Sequence, residues 1–169
     1  MEIRTARLVL RRARPGDLAD LHAALSDPAT MRYWSTPPHA DLARTEAWLA
    51  SMIAGTPNES DDFIVEAGGR AIGKAGAWRL PEIGFLLHRD SWGQGFASEA
   101  MDAVIPHLFA THDIPALTAD ADPRNAASLR LLARLGFQET GRASGTFEIN
   151  GELCDSIYFA LPRSALILG

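Results

Sequence analysis

The chain holds a single cysteine, Cys154, among 169 residues. That excludes a framework of internal disulfides and fits a reducing compartment. No His or Asp pattern surrounds Cys154, so it reads as a small strand residue and offers no case for a covalent intermediate. Apolar runs long enough to cross a bilayer are missing. Met1 leads straight into a polar, alternating segment, so no signal peptide is expected and the expected home is the cytoplasm, with no membrane partner. Positive charge is also short: 16 Lys and Arg stand against 21 Asp and Glu. This argues against a broad nucleic-acid footprint, though not against one phosphorylated cofactor held by backbone amides. The five histidines, His22, His39, His88, His107 and His112, have no metal-ligand spacing, and no metal is expected. Repeats, linkers and low-complexity segments are missing too, so residues 1–169 read as one domain of ordinary globular composition.

What is present is a strand-to-helix switch in mid-chain. Ile83-Gly84-Phe85-Leu86-Leu87 has strand character. Trp92-Gly93-Gln94-Gly95-Phe96-Ala97-Ser98-Glu99-Ala100 follows, and then Met101, Val104, Ile105 and Leu108 recur at helical spacing. The first N–H groups of a helix lack intrahelical partners, and the helix dipole places partial positive charge beside them. Glycine lets an anion approach that bare backbone, which makes a phosphate cradle. Gly93 and Gly95 could equally form only a tight turn. No Gly-Lys-Ser/Thr follows them, which excludes a P-loop. The three-glycine dinucleotide fingerprint is incomplete as well.

Around this switch the pattern supplies the remaining elements. Thr5 to Arg11 alternates as a strand. Leu18, Leu21 and Leu25 mark a helix ended by Asp27-Pro28. A second helix carries Leu42, Trp48, Leu49, Met52 and Ile53. Two strands flank Gly68-Gly69 as a hairpin. Glu82 to Leu87 and Ala116 to Asp120 read as strands, and Asn125 to Leu135 as a helix. A last hairpin turns at Asn150-Gly151. Pro106 inside the central helix should kink or end it early. The order implies an α/β (α+β) chain with a mixed sheet and helices on its faces.

Four of these segments, in order, resemble the GNAT superfamily of N-acetyltransferases. They are Thr5 to Arg11, the run from Ile83 through Ala100, Asn125-Ala126-Ala127-Ser128 with Leu135-Gly136-Phe137, and Gly151 to Ser156. The similarity is nearest to the Rim-type branch, whose named members acetylate N-termini of ribosomal proteins. The resemblance implies a largely antiparallel sheet with helices on both faces and acetyl-CoA as cosubstrate. It implies a diphosphate on the amides of Gly93, Gln94, Gly95, Phe96, Ala97 and Ser98, and a pantetheine arm along Phe85, Leu86 and Leu87. Asn125 would bond to the arm or the acetyl end, with Ser128 near the sulfur. Asn125 could also be a helix N-cap, Ser128 an ordinary helix serine, and Gln94 a solvent-facing side chain.

The implied reaction is direct acetyl transfer to a primary amine, on a peptide N-terminus or a small molecule. A strand N–H near Phe85 or Leu86 would stabilise the oxyanion. Glu82 is the first candidate for general base, with a solvated carboxylate after Pro81 as the plain alternative. Asp120 and Asp122 come second. Many superfamily members place a Tyr seven positions after the Asn to protonate the thiolate. Leu132 stands there, so Ser128 is the best-placed hydroxyl. The missing Tyr also admits a non-catalytic acyl-CoA-binding or sensing protein. Trp92 and Phe137 read as packing residues. Tyr33, Trp34 and His39, with the hairpin from Thr146 to Glu152, are expected to shape the acceptor cleft. An exposed strand edge could pair two copies as a homodimer.

Overall fold

A computed structural model describes residues 1–166. It contains eight strands and four helices in one sheet-based architecture: β1 (Glu2–Arg4), β2 (Val9–Arg11), α1 (Leu18–Leu25), α2 (Leu42–Ala54), β3 (Asp61–Ala67), β4 (Arg70–Arg79), β5 (Glu82–Leu87), α3 (Phe96–Thr111), β6 (Ala116–Ala121), α4 (Ala126–Arg134), β7 (Gln138–Ile149) and β8 (Glu152–Pro162). The strand order is β1-β2-β3-β4-β5-β6-β8-β7. Every neighbouring pair is antiparallel except β5 and β6.

Alternation along the strands sorts side chains onto two faces. One face, with Phe63, Val65, Ala75, Ala77 and Ile83, packs against α3 and against Leu132 of α4. The inner stripe of α3 is Ala100, Met101, Val104, Ile105, Leu108 and Phe109, all buried at the three-to-four spacing of a helix. The opposite face, with Ile64, Ala71 and Leu86, packs against Leu21, Ala24 and Leu25 of α1 and Leu49 of α2. Among the described residues no helix is long and apolar enough to cross a membrane.

Three sequence expectations are corrected. Thr5 to Arg11 is not one strand. Thr5 N–H donates to the Leu8 carbonyl at 3.0 Å and Leu8 N–H to Thr5 Oγ1 at 3.0 Å, closing a turn between β1 and β2. A tight turn repeats polar and apolar residues much as a strand does, so periodicity alone confuses the two. Pro106 does not end α3, which continues to Thr111. Pro106 and Asp102, whose carbonyl loses its helical partner, are both exposed, so water can take that bond. The final hairpin is much longer than the sequence pattern suggested, because β7 starts at Gln138. Register shifts at Glu139/Gly141 and Ala143/Phe147 break its alternation and hid the first half of the strand.

Candidate active site

The site lies where the sheet opens. β5 is paired with β4 along its length but meets β6 through a single parallel register pair, Glu82↔Thr118. Thr118 N–H donates to the Pro81 carbonyl at 3.0 Å, and beyond that point the two strands splay. A cavity of about 810 Å³ fills the gap. Pockets of that size hold a sizeable organic ligand.

The cavity brings together most of the residues singled out from sequence. Phe85, Leu86, Leu87, Gly93, Gly95, Phe96, Ala97, Ser98, Asn125 and Ser128 all line it. Two do not. Gln94 Nε2 donates to the Asp90 carbonyl at 3.3 Å, so its side chain caps the preceding turn. Glu82 stands at the closed end of the splay, 3.5 Å from Arg79.

The strand edge is suited to an amide-bearing ligand. His88 N–H donates across to the Ile72 carbonyl of β4 at 2.8 Å. In an antiparallel pair such bonds alternate along the strand, so Leu86 spends its backbone groups on Lys74 opposite. Phe85 therefore points its N–H and C=O to the splayed side. The alternation selects Phe85, not Leu86, as the strand-edge donor. Leu87 lies on that side too, but its carbonyl accepts from Trp92 Nε1 at 2.8 Å. Trp92 is 53 % exposed and lines the cavity, and its bond to Leu87 makes it a structural clamp on the strand end. Phe137 is buried in the main core as expected.

At the mouth, Gly93 and Gly95 adopt φ of +73° and +77°, a region where side chains other than Gly are strained. Glu99 is the first residue to donate into the helix, to the Gly95 carbonyl at 3.0 Å. The N–H groups of Phe96, Ala97 and Ser98 thus precede the ladder, at the positive end of the dipole. On the other wall, Asn125 caps α4, its Oδ1 accepting from Ser128 N–H at 3.2 Å. The cap uses only Oδ1 and leaves the amide NH2 as a donor. Asn125 is therefore a cap that also lines the cavity. Leu132 lines the same wall and is buried, with no proton to give.

Acidic groups gather on the opposite side of the splay. Glu82 pairs directly with Thr118, and Asp120 lies two residues further on the same face of β6. Burial pushes the Glu82 carboxyl above the usual range; Asp120 adds to this and Arg79 partly offsets it. Burial likewise pushes Asp120 up, helped by Asp122 and opposed by a hydrogen bond from Ser156. Among the described residues no Arg, Lys or His forms an ion pair with Asp120. Asp122 differs. Arg124 grips it through two bonds, Nε to Oδ1 at 3.0 Å and Nη2 to Oδ2 at 2.8 Å, and these hold its carboxyl below the usual range. Asp122 is thereby unsuited to take up a proton near neutrality.

Tyr33 and Trp34 line the cavity. His39 does not. It is buried, bonded through Nδ1 to Thr45 Oγ1 at 2.8 Å, and edge-on to Trp48. Two buried polar groupings escaped the sequence reading. Lys74, the chain's one lysine, is sealed against Asp62 at 2.5 Å, with its Nζ 5.8 Å from the Trp34 ring centroid. The Gly68-Gly69 hairpin register sets Asp62 opposite Gly76, diagonal to Lys74, and this was the available signal. Asp61 gathers Arg12, His107 and His112 at 2.6, 2.9 and 2.7 Å. No local pattern links those four positions.

Comparison with known proteins agrees with this geometry. The sequence model of the acetyltransferase (GNAT) domain family matches residues 7–138. An uncharacterised N-acetyltransferase, p20, of Bacillus licheniformis is 30% identical over 168 residues, 93% of each chain. The ribosomal protein uS5-alanine N-acetyltransferase of Escherichia coli is 33% identical over 86 residues, 51% of this chain and 44% of that one. In fold, RimL, a ribosomal L7/L12 α-N-protein acetyltransferase solved with coenzyme A, superposes with a TM-score of 0.83 at 20% identity, over 98% of this chain and 99% of that one. The splayed strand edge, the glycine turn and the family match converge on one conclusion: the chain belongs to the GNAT acetyltransferase family and is an N-acetyltransferase that uses acetyl-CoA.

Proposed function

We propose that the acceptor is the α-amine at the end of a peptide, and that Glu82 and Asp120 together relieve it of its proton. The observation that carries this reading is the pair itself. Two carboxylates share one face of adjacent strands, Asp120 lining the cavity and Glu82 just outside it at the closed end of the splay, and burial raises the proton affinity of both. A peptide α-amine has a pKa near 8 and a lysine side chain one above 10. A carboxylate raised toward neutrality bridges the first gap far more easily than the second. The E. coli relative named for alanine N-acetylation on a ribosomal protein supports the same class.

In this scheme acetyl-CoA supplies an activated acetyl group as a thioester. The peptide end enters past Tyr33 and Trp34, and its neutral amine attacks the thioester carbonyl. Phe85 N–H, unpaired at the strand edge, stabilises the oxygen as negative charge develops. The amides of Gly93 to Ser98 and the positive end of α3 hold the diphosphate. Asn125 NH2 steadies the arm, and Ser128 on the same α4 wall offers a hydroxyl to the departing thiolate, since Leu132 has none. Glu82 and Asp120 take the amine proton directly or through water.

Free-thiol release with acetyl-CoA, run against peptides with free and blocked N-termini and against small amines, tests the acceptor. Release confined to free-ended peptides supports the proposal. Higher kcat/KM with polyamines, amino sugars or free amino acids overturns it.

A further inference from the structure

Arg7 lies outside the cavity, in the turn between β1 and β2, yet it is fastened to the loop that opens α3. Its Nη1 donates to the Gln94 carbonyl at 2.8 Å. Its Nε donates to Glu99 Oε2 at 2.7 Å, and its backbone N–H to Glu99 Oε1 at 2.8 Å. Thr5 Oγ1 adds a bond to the same Oε1 at 2.6 Å. The guanidinium stands 4.5 Å above the Phe96 ring centroid. A Cβ built on Gly95 would point at Arg7 Nη2, 3.5 Å away. Gly95 is therefore sandwiched between Arg7 and the cavity that it lines.

A trans peptide is planar, and its C=O and N–H point in opposite directions. Arg7 draws the Gln94 carbonyl outward. The N–H of the same peptide unit, that of Gly95, must then face away from Arg7. Glu99 poses a second problem for an anion at this helix end, because its carboxylate sits in the first turn and competes for the same partial positive charge. Thr5, then Arg7, engage that carboxylate and hold it below the usual range, turned toward the β1–β2 turn.

We propose that Arg7 is a positioning residue for the cofactor diphosphate: it sets the Gln94–Gly95 peptide so that the Gly95 N–H faces the cavity, and it draws Glu99 away from the anion. Arg7 does not touch the cofactor in this role. It acts through one peptide plane and one carboxylate, from a turn almost ninety residues upstream. The inference rests on the placement of acetyl-CoA described above.

The test separates the diphosphate from the rest of the cofactor. Coenzyme A and pantetheine, which lacks the diphosphate, are titrated by calorimetry into wild type, Arg7→Met and Arg7→Lys. The kcat/KM ratio of acetyl-CoA to S-acetylpantetheine is measured in parallel. Methionine keeps an apolar stem over Phe96 and removes the donors. Lysine restores charge and one donor, and so guards against a mere folding defect. Arg7→Met should weaken coenzyme A about tenfold, the scale of one charge-assisted hydrogen bond. Pantetheine affinity and S-acetylpantetheine turnover should stay at the wild-type level. Arg7→Lys should fall between the two. Equal losses for both ligands, or unchanged coenzyme A affinity, would overturn the positioning role while leaving the cofactor site standing. Wild type that binds neither ligand would overturn the cofactor placement, and this role with it.

Discussion

Asp61 and Asp120 both lose solvent on strands of one sheet, and burial raises the proton affinity of each, yet they end on opposite sides of the ordinary carboxylate range. At Asp61 the burial effect is outweighed by hydrogen bonds from His112, Arg12 and His107, and the net shift is downward. Asp120 has only Ser156 to offset burial and the nearby Asp122, and its net shift is upward. The difference lies in what each end of the sheet leaves for a carboxylate to bond. Where the strands are fully paired and α3 closes over them, three donors, one just after β2 and two from α3 and its C-terminal cap, converge on Asp61 and it is 0% exposed. Where β5 and β6 part, the donors that would satisfy Asp120 are replaced by a cavity. A carboxylate that meets few donors keeps a raised proton affinity, which is a resource for proton transfer.

The sharpest way to break this contrast is to remove both acids in turn. Asp61→Ala removes the shared acceptor of Arg12, His107 and His112 and should cost about 1–3 kcal/mol of stability by urea denaturation. Asp120→Asn should cost no stability at neutral pH. Its effect should fall on kcat/KM, by about 10²-fold at neutral pH. If Asp120→Asn unfolds the protein while Asp61→Ala slows only turnover, the assignment of the two ends is reversed.

The pH profile of Glu82→Gln sharpens the comparison next. A base with raised proton affinity is idle until pH passes its pKa, so wild-type kcat/KM should climb through that window. Glu82→Gln should lose about tenfold or more near neutrality and less at high pH, where the amine deprotonates unaided. Identical profiles for variant and wild type would remove Glu82 from the proton path.

Stability against pH should carry opposite signs at the two ends. Asp61 is lowered, so its contribution is present above the unfolded pKa near 4 and is lost as pH falls through the folded value. Asp120 is raised, so its contribution is present below the unfolded value and is lost as pH rises through the folded one. Asp120→Asn should therefore show a higher Tm than wild type at pH 7 and no gain under acid conditions. A Tm below wild type at pH 7 would contradict the raised proton affinity. The smallest effect belongs to Asn125→Ala, which deletes the α4 cap for about 1 kcal/mol and should raise KM for acetyl-CoA. A stability loss with unchanged KM would leave Asn125 as a cap alone.

The sequence exposed the glycine turn and the α4 wall of the cavity more fully than its acidic end. Gly93, Gly95, Asn125 and Ser128 lie in contiguous stretches whose local conformation shapes the cavity wall, so spacing reveals them. Trp92 bonds back to Leu87 over an irregular turn, a contact that no period announces. Glu82 was visible at the head of its strand, but Asp120 and Asp122 looked alike until Arg124 was seen to lock only one of them. The networks around Asp61 and Lys74 join residues on separate elements, and His39 turned inward for the sake of Thr45. Such pairings are decided by tertiary packing. The β1–β2 turn and the early half of β7 were lost where a turn imitates a strand or a bulge breaks one.

The sealing of Lys74 beneath Trp34 has a practical consequence. No lysine of this chain presents an ammonium to solvent, since its one lysine side chain is 2% exposed and paired with Asp62. An acetyl-transferring protein that stays folded beside its own cosubstrate therefore offers no lysine to be marked. In a mixed reaction analysed by mass spectrometry, every acetyl-lysine found belongs to some other polypeptide.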